Sequence, residues 1–155
     1  MKLKLDMNKP FLGVFYIGVI LAIFFATIVV VYPESKISSK IFLEGVGISV
    51  VVANTPALQE RGLSGVESLR ENEGMLFIFP TPARDGFWMK DMLFPIDIIW
   101  FDADQKIVDM WENALPSSYP EIRTPRQDAQ YVLEVPAGFV QAHNIQKGQK
   151  FELAQ

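Results

Sequence analysis

Ile96-Asp97-Ile98-Ile99-Trp100-Phe101 is followed by Asp102-Ala103-Asp104-Gln105-Lys106 and then by Ile107-Val108-Asp109-Met110-Trp111. β-Branched and aromatic residues favour a pleated, half-buried surface, so the first and third pieces read as strands. The Asp-rich pentapeptide between them has turn chemistry, and the whole reads as a β-hairpin. Period-two alternation sets Asp97, Ile99 and Phe101 on one face and Ile98, Trp100 and Asp102 on the other.

Working outward, Gly47-Ile48-Ser49-Val50-Val51-Val52-Ala53 is a β-branched run bounded by Gly and Asn, and reads as a strand. Asn54-Thr55-Pro56 supplies a capping side chain and a first-turn proline, so a short helix over 56–61 is expected, stopping at Gly62. Residues 74–80 form a continuous apolar run of strand length, buried on both faces. Phe87-Trp88-Met89 begins another extended piece that Pro95 interrupts, and 113–127 is a polar loop. Tyr131-Val132-Leu133-Glu134-Val135 alternates like a half-buried strand. A short helix follows, opened by Pro136-Ala137-Gly138 and ending near His143, and a last strand spans 150–153. The expected fold class is α+β: a small β-rich, mostly antiparallel sheet or barrel-like domain with two short helices. Its bounds are 46–155, behind a polar tether over 33–45 that runs into a first strand.

The 155 residues amount to about one domain. Fourteen Lys+Arg against 18 Asp+Glu give a net charge of −4, which argues against a nucleic-acid partner needing a basic face. The absence of cysteine excludes disulfides, thiolate metal sites and a thiol nucleophile. Residues 11–32 carry no charge over 22 positions. As a helix they span about 33 Å, enough for a hydrocarbon core of roughly 30 Å, and such a segment is expected to sit in the lipid bilayer as a single-pass anchor. Lys2, Lys4 and Lys9 precede it against Asp6, whereas residues 33–155 carry 11 basic and 17 acidic side chains. This bias places residues 1–10 in the cytoplasm and the C-terminal domain outside the cytoplasmic (inner) membrane. The alternative is a cleaved signal peptide, whose apolar region is usually about 7–15 residues and ends at a small-x-small site. The run here is longer, and Ala26-Thr27 is followed by four more aliphatic residues.

Several strings form a distinctive ordered set: Gly74-Met75-Leu76-Phe77-Ile78-Phe79-Pro80, Phe87-Trp88-Met89-Lys90, Pro95-Ile96-Asp97-Ile98, and Tyr131 through Gly138. Over about 46–153 the chain resembles the bacterial and archaeal family known as domain of unknown function 192, with Phe-Trp-Met-Lys its most specific piece. The resemblance implies a compact β-rich domain facing the extracytoplasmic space, and it brings no activity, substrate or cofactor. The chain departs from the family's usual pattern where Asp91-Met92 replaces Asn-Thr. It departs again where Val66 follows Gly62-Leu63-Ser64-Gly65 without an arginine, and where Gln105 takes a hairpin glycine position.

Two function classes follow. The favoured one is a non-catalytic binding or accessory module for a small ligand, envelope component or partner protein, with Arg61, Trp88, Lys90, Asp97 and Tyr131 as ligand-binding candidates. The alternative is a small, hydrolase-like enzyme centred on Lys90 and Asp97, with Glu134 a further candidate. A desolvated Lys90 could act as a base or clamp an anion. Asp97 inside an apolar strand needs donors or a cation, and Lys90 on a neighbouring strand is the natural partner, in a functional or a purely structural ion pair. Arg61, Arg84, Lys90, Arg123 and Arg126 could together line an anion groove walled by Trp88, Trp100, Trp111 and Tyr131. His143 is the single histidine, too few for a zinc site without cysteine, and no Gly-x-Ser-x-Gly elbow accompanies it. Asp102 and Asp104 lack the further oxygen ligands of a calcium loop. No cofactor or metal is expected.

Overall fold

Two-residue and five-residue turns shape this sheet. The structure, a computed structural model, describes residues 38–154. Its elements in chain order are β1 (Ser38–Leu43), β2 (Val46–Ala53), α1 (Pro56–Arg61), β3 (Glu73–Ala83), β4 (Ile96–Phe101), β5 (Ile107–Ala114), β6 (Ala129–Pro136), α2 (Phe139–Ala142) and β7 (Phe151–Leu153). Glu44 and Gly45 both have positive φ, 49° and 79°, which matches the type I′ twist of the β1–β2 hairpin. Between β4 and β5 the Asp102 carboxylate accepts the backbone N–H of Asp104 and of Lys106, each at 2.9 Å. Gln105 sits there at φ 64°, the conformation for which glycine is the usual residue. At α1 the Thr55 hydroxyl accepts from Leu58 N at 3.4 Å, and Pro56 occupies the first turn, as the sequence leads one to expect.

The seven strands form one sheet in the order β5-β4-β6-β3-β2-β1-β7. Every neighbour pair is antiparallel except β2 with β3, where α1 lies in the crossover. The edges then curl toward each other. Lys106 bridges to Lys150, and Ile107 N donates to Gln149 O at 2.8 Å, so the sheet closes into a half-barrel. The expected class, a small β-rich α+β fold with two short helices, is the one observed.

Alternation along each strand builds two cores. Ile41, Ile48, Leu76, Ile99, Leu133 and Phe151 fill the concave side, which α2 stops up with Phe139 and Val140. Met75, Phe77, Ile98, Trp100 and Val132 face the convex side, beneath loops that contribute Leu63, Phe87, Met89 and Met92. Both faces of the central strands are therefore dry.

The structure moves three sequence boundaries. The stretch read as tether over 33–45 is strand from Ser38 onward, because Ile41 and Leu43 point into the concave core and β1 pairs with both β2 and β7. β3 continues past Pro80 and Pro82 because its ladder with β6 shifts register between Ile78 and Ala83, freeing backbone N–H positions that proline lacks. Phe87-Trp88-Met89 is loop rather than strand; only Phe87 pairs, exchanging two 2.9 Å backbone bonds with Arg123. The helix expected over 11–32, its cytoplasmic leader and residues 33–37 lie outside the described residues. Among the described residues no helix is long and apolar enough to cross a membrane.

Candidate functional site

α1 ends at Gly62 with φ 53°, and the chain turns back over the convex face of the sheet. The Phe-Trp-Met-Lys loop approaches the same face from the other side. Two bonds join them: Ser64 Oγ donates to the Lys90 carbonyl at 2.9 Å, and Gly65 N donates to the Asp91 carbonyl at 2.9 Å. Asp91 has φ 56°, left-handed backbone that Asn and Asp tolerate best among side-chain-bearing residues. Asp91 is therefore compatible with the turn.

Between these segments opens a cavity of about 260 Å³. α1 and its exit line it with Glu60, Arg61, Gly62 and Ser64, the opposite loop with Asp85, Phe87, Trp88 and Lys90, and the sheet with Phe77, Phe79 and Glu134. The wall is aromatic: Phe87 packs edge-on against Phe77 and Phe79, with ring centroids 5.0 and 6.4 Å away. Trp88 stays 39% exposed at the rim.

Glu134 is the unusual member. It lies on β6 opposite Ile98 of β4 and Met75 of β3, so its side chain shares the convex face with theirs. It is only 4% exposed, and its Oε2 has no hydrogen-bond partner. Burial without a counter-charge pushes its carboxyl up to about 8, so the neutral acid predominates at pH 7. Gly62 adjoins it: a Cβ there would make ordinary contact, 3.8 Å from Oε2 and 3.5 Å from Phe77 Cζ. Trp100 Nε1, on the same face, is a second buried polar atom without a partner.

The geometry sorts the candidates named from sequence. Arg61, Trp88, Lys90 and Glu134 line one cavity. Asp97 does not join them. It points into the concave side, where its two oxygens accept Asn113 N at 2.8 Å and Val140 N at 2.9 Å. The Lys90–Asp97 ion pair is absent among the described residues, because the two side chains belong to opposite faces of the sheet. Tyr131 also belongs to the concave side, its ring 5.4 Å from that of Phe151. The five-cation groove is not assembled either. Arg84 donates to Pro125 O, and Arg123 lies over Trp111 and donates to Met110 O. His143 packs on Phe139 at 4.5 Å beside a separate cavity. Among the described residues no three His, Asp or Glu side chains converge as a metal would need.

Sequence reasoning missed Asp85 and Phe79 at the cavity, since residues far apart in sequence give no periodic signal. It also missed Asp109, 3% exposed on β5, which accepts from Met110 N, Arg126 N and Lys147 Nζ at 2.8–3.0 Å. Desolvation alone would raise its carboxyl, but the Lys147 bond, the two backbone N–H groups and the Lys147 charge outweigh that and hold it below the usual value.

A family model described as DUF192, "Uncharacterized ACR", matches residues 40–153, nearly every described residue. The chain belongs to the DUF192 family. Two curated relatives of this DUF192 domain are UPF0127 proteins. That of Thermococcus kodakarensis is 32% identical over 101 residues, 64% of this chain and 60% of the relative. That of Thermococcus gammatolerans is 31% identical over 101 residues, 64% and 62%. The chain thus spans about three-fifths of the length of the curated relatives it matches. A crystal structure from Sinorhizobium meliloti 1021, of a protein provisionally named a transcription regulator, superposes with TM-score 0.71 at 29% identity, covering 75% of this chain and 93% of that one. A protein of unknown function from Novosphingobium aromaticivorans superposes with TM-score 0.69 at 29% identity, covering 73% and 83%. The DUF192 domain therefore shares its half-barrel with solved proteins whose names assign no chemistry to the Glu134 cavity.

Proposed function

We propose that this DUF192 domain is a non-catalytic module that binds a small organic molecule in the Glu134 cavity. A helix over residues 11–32 holds it at the outer surface of the cytoplasmic membrane. The observation that carries the reading is the Glu134 carboxyl, dry and unpartnered at the edge of an aromatic cavity. A buried polar group without a partner is costly, on the order of 1–3 kcal/mol, and a ligand that supplies the missing bond recovers that cost. At about 260 Å³ the space lies just below the roughly 300–1,000 Å³ of drug-sized sites, so it suits a small ligand.

A second reading, a small enzyme with Glu134 as proton donor, has one observation in its favour: the raised carboxyl and Lys90 line the same cavity. Three facts favour the binding module instead. Ser64 Oγ is committed to the Lys90 carbonyl, His143 lies elsewhere, and no second buried carboxyl lines the cavity to share acid–base work. A role in transcription, suggested by the name of the Sinorhizobium neighbour, would need a phosphate-neutralising face. The excess of acidic over basic residues from 33 to 155 does not favour one.

The test is a ligand-observed NMR screen of small aromatic and cyclic fragments against the full-length chain in detergent micelles. Fragments that bind the wild type and are lost in Glu134→Gln and Trp88→Ala support the reading. Fragments indifferent to both substitutions, or no binders at all, overturn it.

A further inference from the structure

The cavity's lining carries more than a place for a ligand. Its charged members are Glu60 and Arg61 from α1, Asp85 and Lys90 from the opposite loop, and Glu134 from the sheet: three carboxyls against two cations. The strands flanking β6 add nothing charged beside Glu134, since its register partners are Met75 and Ile98. Neither basic side chain is spent on Glu134; among the described residues the ion pairs are Arg70 with Glu73 and Lys147 with Asp109. Phe77, Phe79 and Phe87 wall the space beside the carboxyl, and Trp88 stands at its rim. Aromatic rings attract cations through their quadrupole and repel anions. It is also the carboxyl-terminal turn of α1, the carbonyl end of a helix, that lines the cavity.

We infer that the ligand of this cavity is an organic ammonium ion, an amine on a compact apolar body, whose charge pairs with Glu134 while the rings enclose the rest. The inference rests on the proposed binding role and names its ligand class. An ammonium group supplies both what Oε2 lacks, a hydrogen-bond donor, and what a dry carboxylate needs, a counter-charge. Binding is then coupled to a proton. Glu134 is mostly protonated at pH 7 in the empty cavity, and pairing with a cation expels that proton to buffer. Affinity should rise with pH up to about 8 and fall again once the amine itself loses its proton.

The experiment is calorimetric titration of the full-length chain in micelles with benzylamine, benzyl alcohol and benzoate, which share a ring and differ in charge. At pH 7, two buffers of different ionisation enthalpy count the protons exchanged. The expected result is binding of benzylamine at least tenfold tighter than of either other probe, with close to one proton released. Glu134→Gln should weaken benzylamine at least tenfold and abolish the proton release, and should weaken benzyl alcohol far less than it weakens the amine. Lys90→Met, which removes a like charge from the cavity lining, should tighten benzylamine binding, and a loss of binding there would count against the ammonium assignment. If benzyl alcohol or benzoate binds as well as benzylamine, or if Glu134→Gln changes nothing for the amine, the ammonium assignment falls and the binding cavity stands. If none of the three probes binds, both fall.

Discussion

Asp97 and Glu134 occupy adjacent, paired strands one register step apart, yet their carboxyls project from opposite faces of the same sheet. Asp97 lies across from Val135, Glu134 across from Ile98. Both are almost wholly buried, at 1% and 4% exposure. Asp97 finds two backbone donors, and Glu134 Oε2 finds none. One acid is part of the framework; the other is left open toward a cavity. That contrast drives the first two predictions.

Asp97 joins β4 to the end of β5 through Asn113 and to the first turn of α2 through Val140. Replacing it with Ala leaves two backbone N–H groups, that of Val140 buried and that of Asn113 part-buried, without their acceptor. Hydrogen bonds to a charged acceptor contribute roughly 1.5–3 kcal/mol each. Asp97→Ala should therefore cost about 3 kcal/mol or more in urea unfolding, and Asp97→Asn less, because its amide oxygen still accepts. Neither variant should alter ligand binding at the Glu134 cavity when measured below the unfolding transition.

Glu134 makes stability depend on pH in a defined direction. Burial raises its carboxyl from the ordinary value of 4.5 to about 8, so between those values the folded state binds a proton that the unfolded chain releases. Stability from this group is fully present below about 4.5 and is lost as pH rises toward about 8, with little further change above. The slope within that window approaches about 1.4 kcal/mol per pH unit. Denaturation of the wild type across pH 5 to 9 should show the decline, and Glu134→Gln should flatten it. At pH 9 the glutamine variant should be the more stable of the two.

Asp109 behaves oppositely. Its carboxyl is held low, so the stability it contributes is present above its unfolded value near 3.8 and fades as pH falls through its lower folded value. This acid limb lies apart from the Glu134 window. Asp109→Ala should destabilise by about 3 kcal/mol, because it leaves the Met110 and Arg126 amides and Lys147 without their acceptor. Lys147 is half exposed, so Lys147→Met should cost no more than about 1 kcal/mol.

Gly74 meets the sheet backbone too closely for any side chain: a Cβ there would stand 2.5 Å from the Glu134 carbonyl oxygen. Gly74→Ala must spread β3 from β6 at the Glu134 backbone. It should cost about 1–3 kcal/mol in the same unfolding assay, and weaken fragment binding by displacing Glu134.

The proposed topology is tested separately. Protease added to intact spheroplasts should digest the C-terminal domain, and the chain should remain with the membrane fraction after high-salt washing. Protection from the protease, or release by salt, would defeat the anchor reading.

Much of the fold was legible because its signals are local. The β4–β5 hairpin, the Thr55-Pro56 start of α1 and the apolar runs of β2 and β3 each declare themselves within about ten residues. The candidate site was legible only in its parts. Alternation tells which residues of one strand share a face, but it cannot be carried through a loop such as Phe87-Trp88-Met89-Lys90. The side of the sheet that Lys90 reaches was therefore undetermined, and its pairing with Asp97 was wrong for that reason. Glu134 read as half-exposed because its own strand alternates. What buries it are the segments over the convex face, Leu63 from one and Phe87, Met89 and Met92 from the other, whose placement depends on tertiary contacts. A hint was present in the neighbours: β3 and β4 are apolar at consecutive positions, which is how strands covered on both sides read.

The meeting of Lys106 with Lys150 has a further effect. Where the curled rims touch, the backbone donors and acceptors are taken, and beyond that point Arg123 occupies the Met110 carbonyl on the outer strand. Over that stretch the sheet gives a second molecule no template for adding a strand.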